Sequence, residues 1–248
     1  MLLIGVLAAV AVLAVVVTVA VLPDARRGVP APDRPGPVLL VPGYGGGTGG
    51  VEALAQRIRA TGRDAAVVVP PGDGTGDLSR QADHLDGEVE RLLRDGAPSV
   101  DLVGYSAGGV VVRLWVQNHD GIVKARRIVT LGSPHHGADI AGAGAAAAAG
   151  ACPPACQQLA PGSRLLRGLS TPVPTPPQWL AVWTAFDRTV TPPESARLEG
   201  ATNVELQVIC PSSTLDHAGL PTDPTATALV LQAIGAGPIR PPTGCVSS

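Results

Sequence analysis

"LVGYSAGGVVVRLW", residues 102–115, sets a serine between glycines, directly after an apolar run and directly before a helical pattern. A chain that turns sharply from strand to helix packs its backbone so tightly that Cβ atoms collide beside the turn, and the side chain at the apex projects beyond the sheet edge. Gly104, Tyr105, Ser106, Ala107 and Gly108 meet both needs. Upstream, "SVDLVG" is a short β-rich run. Downstream, Val111, Leu114 and Trp115 recur at the i, i+3, i+4 spacing of an amphipathic helix. The stretch therefore predicts a strand, a sharp turn and a helix, with Gly104 and Gly108 framing Ser106 as a nucleophile.

The same alternation extends to either side. "PVLLVPG" (37–43), "AAVVVP" (65–70), "RRIVTLG" (126–132), "WLAVWTAF" (179–186) and "VELQVIC" (204–210) read as strands. "VEALAQRIRATG" (51–62), "DLSRQADHLDGEVERLLRDG" (77–96) and "TATALVLQAIG" (225–235) read as helices. Strands that are apolar almost throughout, each followed by a helix, imply a parallel sheet covered on both faces. Such a sheet fits in residues 37–248 as one α/β domain.

The chain has 248 residues, with 31 glycines and 25 prolines, just short of the composition of a low-complexity chain. A formal net charge of -2 leaves no basic footprint for nucleic acid, so the expected partner is a small molecule. Residues 1–22 carry no charge, and as a helix they would run roughly 33 Å, enough to span a bilayer. They read as an uncleaved signal anchor, or as a signal peptide cleaved after Ala20. Residues 23–36 form a Pro-rich tether that should be extended and unpacked. Arg26, Arg27 and Arg34 behind the apolar segment would hold the domain in the cytoplasm by the positive-inside rule. The four cysteines argue the opposite. Cys152 and Cys156 make a close pair, Cys210 and Cys245 a distant one; two disulfides in this arrangement suit a protein outside the cytoplasm, tethered to a membrane or secreted. The spacing lacks the paired C-x₂-C units of a zinc site.

A serine hydroxyl needs a histidine to take its proton and a carboxylate to orient that histidine. In sheets of this kind reactive groups collect at the carboxyl ends of strands, in the chain order Ser, Asp or Glu, His. His84 and His119 precede the acid candidates or sit on helix faces. His217, in "LDHAGL" after the last strand, satisfies both order and position. Asp187 ends the strand before that one, Asp139 is the alternative acid, and Asp216 adjoins the histidine too closely to orient its ring. His135 and His136 form a pair after a strand; neighbouring side chains there point apart, which favours a loop or pocket wall over a metal site.

"VPGYGG", "GYSAGG", "VTLGSPHHG", "FDRTVTPPESARLEGATNVEL" and "DHAGL", in this order, resemble the small bacterial lipases of the lipase class 2 type. The resemblance runs from about Pro37 to about Gly235. It implies a minimal α/β-hydrolase fold, a mostly parallel sheet with helices on both faces, and Ser106, Asp187 and His217 as nucleophile, acid and base. It further implies that the backbone N–H groups of Tyr44 and Ala107 form the oxyanion hole. Pro42 and Tyr105 stand where many such lipases have histidine. Pro42 has no N–H to give, which agrees with a donor at Tyr44.

The expectation is thus a monomeric serine hydrolase of carboxylic esters that needs no metal or organic cofactor, with a lipid or other small ester as substrate. The alternatives are an acyltransferase or thioesterase using the same groups, and a non-catalytic binding protein on the same fold. The only sizeable insertion, residues 138–170, is Ala/Gly-rich and has no aromatic residue, which predicts an open site without a lipid-activated lid.

Overall fold

The computed structural model describes residues 28–146 and 152–246. Its sheet comprises β1 (Val38–Val41), β2 (Ala65–Val67), β3 (Val100–Tyr105), β4 (Ala125–Leu131), β5 (Gln178–Trp183) and β6 (Thr202–Glu205). The spatial order is β2-β1-β3-β4-β5-β6, and every neighbouring pair is parallel. The longer helices are α1 (Gly49–Arg59), α2 (Leu78–Arg94) and α3 (Ala107–Asn118). Between β4 and β5 lie α4 (Asp139–Ala146), α5 (Pro154–Gln158) and α6 (Arg164–Arg167), and after β6 come α7 (Leu206–Ile209) and α8 (Pro224–Ala233).

Alternation along each strand divides the core in two. Val38 and Leu40 join Val103, Val129 and Leu180 against α1 and α8, whereas Leu39 and Val41 join Leu102 and Ile128 against α2 and α3. Side-chain caps start two of these helices: the Asp77 carboxylate accepts from the N–H groups of Ser79 and Arg80, and Asp223 accepts from that of Ala226 ahead of α8. Since β1 sits between β2 and β3, the chain leaves β1 in one direction and later returns on its other side. The loops after β1 and β3 diverge there and open a crevice at the carboxyl ends of the strands, where ligands bind in sheets of this kind.

Three expectations need correction. First, α3 is not amphipathic: every residue from Ala107 to Val116 is buried. It is covered by the sheet, by α2 and by the segment after α4, so it is a central helix, apolar almost all round. Its one charge, Arg113, donates to the carbonyls of His135 (3.2 Å) and Ser170 (3.0 Å), and burial pushes its pKa down to about 10. Second, only Val204 and Glu205 of "VELQVIC" are strand. Past the last pair, Trp183 with Glu205, no neighbouring strand continues, and the backbone closes the single turn of α7. Leu206 and Ile209, three apart, are buried, and Val208 is 79% exposed.

Third, the part of the tether described here is not free of the domain. The carbonyls of Pro32, Arg34 and Gly36 accept from Arg126, Ser99 and Arg63. Gly36 is held so close that a Cβ would lie 1.7 Å from the Ser99 carbonyl oxygen. Arg63 and Arg126 also meet Asp101, fully buried at the amino end of β3. The apolar segment 1–22 and residues 23–27 lie outside the described residues. Among those described, no helix is long and apolar enough to cross a membrane.

Both cysteine pairs form as spacing suggests, Cys152 with Cys156 and Cys210 with Cys245. The second closes a separation of 35 residues and ties the C-terminal tail to the end of α7. In the chain-entropy account a loop of that length stabilises by about 4 kcal/mol. Replacing Cys210 and Cys245 together by serine should therefore lower the melting temperature by roughly 10 °C in scanning calorimetry. The same replacement at Cys152 and Cys156, which closes a separation of 4, should cost about half as much free energy.

Candidate active site

Ser106 sits at φ 53° and ψ −127°, a conformation few side chains adopt and one that costs about 1–3 kcal/mol. The surroundings hold it there. Its N–H donates to the Leu131 carbonyl (2.8 Å), and its own carbonyl accepts from the Gly109 N–H (3.0 Å). A Cβ on Gly104 would fall 2.5 Å from the Gly109 Cα, and one on Gly108 would fall 2.2 Å from the Val41 carbonyl oxygen. These two positions admit only glycine because α3 crosses directly over the ends of β3 and β1.

His217, in the loop between α7 and α8, brings its Nε2 to 3.0 Å from Ser106 Oγ and its Nδ1 to 2.6 Å from Asp187 Oδ2. Asp187, in the turn after β5, is 4% exposed, and His217 is 7% exposed. The other carboxylate oxygen of Asp187 accepts from the N–H groups of Thr189 (2.9 Å) and Val190 (2.8 Å), which fix the carboxylate plane. A proton on Nδ1, donated to Asp187, leaves the Nε2 lone pair facing the serine hydroxyl. In this state the histidine can take the hydroxyl proton and the carboxylate can stabilise the resulting imidazolium.

Other residues position these three, and sequence reasoning did not single them out for it. Gln207 donates from Nε2 to Thr184 Oγ1 (3.0 Å) and to the Ser213 carbonyl (3.1 Å), and accepts the Ala185 N–H at Oε1 (2.8 Å). Thr184 in turn donates to the Leu215 carbonyl (2.6 Å). The loop bearing Asp187 and the loop bearing His217 are thereby lashed together. The only cue in the sequence was a polar residue within the apolar run "VELQVIC". Gly132, at φ 55°, lies under the imidazole: a Cβ there would be 3.1 Å from His217 Nδ1 and 2.6 Å from Leu220 Cδ1. Tyr105 donates its hydroxyl to the His217 carbonyl (3.2 Å) and lays its ring 5.1 Å from the imidazole. Burial, aided by the charges of Asp187 and Asp216, pushes its pKa up to about 12, so it stays a protonated donor.

The remaining candidates fall elsewhere. Asp139 is exposed in the first turn of α4, and its N–H donates to Thr191. Asp216 accepts from the Gly219 N–H in its own loop. His84 is exposed on α2, and His119 pairs with Asp83 and Asp86. His135 and His136 point apart: the first is buried with Nε2 on Thr130 Oγ1 (3.1 Å), the second is exposed with Nε2 on the Arg197 carbonyl (3.1 Å). Burial, with Arg113 next to it, holds His135 well below the usual histidine range and keeps it neutral. Among the described residues no cluster of His, Cys, Asp and Glu is suited to a metal ion.

Ala107 opens α3 directly after Ser106, and Tyr44, in the loop after β1, lines a cavity together with Ser106. Among the described residues neither backbone N–H donates to a protein acceptor. Gly43, next to Tyr44, passes so near the turn at Ser106 that a Cβ would be 3.0 Å from the Ser106 Cβ. A cavity of about 240 Å³ opens between Ser106 and Tyr44 on one side and Leu159 and Cys156 on the other. A larger cavity of about 510 Å³, lined by residues that include Ser79, Gln117, Gln157 and Arg164, is lined by none of Ser106, His217 and Asp187.

Residues 73–145 match the model of the PGAP1-like alpha/beta domain. No curated protein matches the chain in sequence. Among solved structures, it is similar to Aspergillus fumigatus lipase B, with a TM-score of 0.68 and 18% identity over 84% of this chain and 54% of that one. It is also similar to the mature form of Bacillus licheniformis lipase BlEst2, with a TM-score of 0.58 and 19% identity over 74% of this chain and 85% of that one. The propeptide form of BlEst2 gives a TM-score of 0.59 at 20% identity, over 82% of this chain and 48% of that one. The chain thus spans about half the length of the Aspergillus lipase and of the propeptide form. At these identities the likeness is one of architecture, and the architecture is the α/β-hydrolase fold, here with an all-parallel sheet of six strands.

Proposed function

We propose that the protein is a serine hydrolase of carboxylic esters, a lipase or esterase, acting through Ser106, His217 and Asp187. The observation that carries this is the unbroken path from Ser106 Oγ to His217 Nε2 (3.0 Å) and from Nδ1 to a buried Asp187 (2.6 Å), at the crevice of the sheet. His217 takes the hydroxyl proton as Ser106 Oγ attacks the ester carbonyl carbon. The carbonyl oxygen becomes an oxyanion and accepts from the N–H groups of Tyr44 and Ala107, each such donor contributing about 10²–10³ in rate. Collapse of the tetrahedral intermediate breaks the bond to the alcohol oxygen, which leaves with the proton from His217. Water then attacks the acyl-serine with His217 as its base, the acid departs, and Ser106 regains its proton.

The neighbours in fold that bear the name lipase support this reading. The two disulfides support a place outside the reducing cytoplasm, and the uncharged segment 1–22 supports a tether to a membrane or an export signal. The expected result is turnover of p-nitrophenyl butyrate by the disulfide-intact protein, with a butyryl adduct on the enzyme after acid quench, read by mass spectrometry. A protein that neither turns the ester over nor carries the adduct contradicts the proposal. Preferential transfer of the butyryl group to an added alcohol rather than to water would make it an acyltransferase.

A further inference from the structure

We infer, building on the proposed function, that the cavity beside Ser106 is a gauge for one unbranched acyl chain of about eight carbons, and that the stapled segment Cys152–Leu159 sets its limit. The cavity begins at the nucleophile. Its walls are the buried residues Pro134, Ala138, Ala141, Leu159 and Val190, together with the half-buried Cys156. Its rim is Tyr44, 45% exposed, and Ile140, 65% exposed. Among the described residues no charged side chain lines it, and the residues with polar side-chain groups in its lining are Ser106, Thr189 and Tyr44. An apolar chain is what such a surface binds.

Volume sets the length. A methylene group fills about the space that a water molecule occupies in the liquid, about 30 Å³. A cavity of 240 Å³ therefore takes about eight such groups. Longer chains must leave past Tyr44 and Ile140 into water, where further methylenes gain little.

The wall is too well held to yield. The Ala138 N–H donates to the Leu159 carbonyl (3.0 Å), which joins the start of α4 to the stapled segment. A Cβ on Gly144 would be 3.0 Å from the Cys156 sulfur, so α4 rests directly on the disulfide. The stapled segment is in turn hung from the start of α2. Gln158 accepts the Leu78 N–H at 2.8 Å and donates to Asp77 at 2.9 Å, and the Ala155 N–H donates to the Thr75 carbonyl at 3.1 Å. The small residues that left this insertion short of apolar bulk are what let its backbone close in and shape a cavity. It serves as a wall, where the sequence suggested only an open surface.

The test is kcat/KM for p-nitrophenyl esters of two to sixteen acyl carbons, each below its solubility limit, for the native protein, Ala141→Leu and Leu159→Ala. In the native protein each added methylene should raise kcat/KM by up to about fourfold until about eight carbons, after which it should level or fall. Ala141→Leu fills about three methylene volumes and should move the optimum to about five carbons; Leu159→Ala vacates as much and should move it to about eleven. Each variant is read as its length profile relative to its own acetate rate, and a native-like circular-dichroism spectrum with a single cooperative melt shows that its fold is intact. Folded, active variants with a length profile that both substitutions leave unchanged, or a native rate that climbs evenly to sixteen carbons, overturn the gauge alone. No turnover of any ester by the native protein overturns the proposed function and the gauge with it.

Discussion

Replacing Ser106 with alanine is expected to lower kcat for ester hydrolysis by about 10⁶-fold, the scale seen when a triad nucleophile is removed. The residue has no second role in the fold to confuse the result. Alanine keeps the N–H that donates to Leu131 and the carbonyl that accepts from Gly109, and it tolerates φ 53° no worse than serine does. The melting temperature should therefore stay within a few degrees. KM should change little, because the cavity walls are untouched. A steady-state assay with purified variant and native protein at matched concentrations checks both points.

The second large effect is expected at Asp187. In Asp187→Asn the amide oxygen can still accept from Thr189 and Val190, which leaves its NH₂ group facing His217 Nδ1. The imidazole must then accept at Nδ1 and carry its proton on Nε2, where it can no longer take one from Ser106. The predicted loss is on the order of 10⁴ in kcat, with KM little changed because Asp187 does not line the cavity. Asp139→Asn is the matched control and should leave kcat within about twofold, since Asp139 stands exposed in the first turn of α4. Equal losses from the two variants would mean that the carboxylate is wrongly assigned.

How far the sequence could be read depended on whether the deciding contacts were local. The turn at Ser106 was legible because its pattern lies within five residues, although part of what enforces it is remote: a Cβ on Gly104 would fall 2.5 Å from the nearby Gly109 Cα, and one on Gly108 would fall 2.2 Å from the carbonyl oxygen of the distant Val41. The placement of Asp187 and His217 was legible from strand ends and chain order, since a parallel sheet delivers the carboxyl ends of all its strands to one edge. The cysteine pairs were legible from their separations. The burial of α3 was not, because the segment that covers it comes much later in the chain. Gln207 and Tyr105 act across 23 and 112 residues, on Thr184 and on the His217 carbonyl, and no pattern within either neighbourhood encodes that. "VELQVIC" illustrates a general ambiguity: a short apolar run serves strand or helix alike until a partner strand is present or absent. In the tether the side chains are mostly exposed, as its composition suggests, while the backbone carbonyls are bound by Arg63, Ser99 and Arg126; composition says nothing about carbonyls.

The central claim is that His217 and Asp187 make Ser106 a nucleophile. It is tested most directly by reacting the disulfide-intact protein with a fluorophosphonate and mapping the adduct by peptide mass spectrometry. The account predicts one adduct per chain, on Ser106, absent in Ser106→Ala and formed far more slowly in His217→Ala. An adduct on a different serine, or an unlabelled protein that still hydrolyses esters, would contradict it.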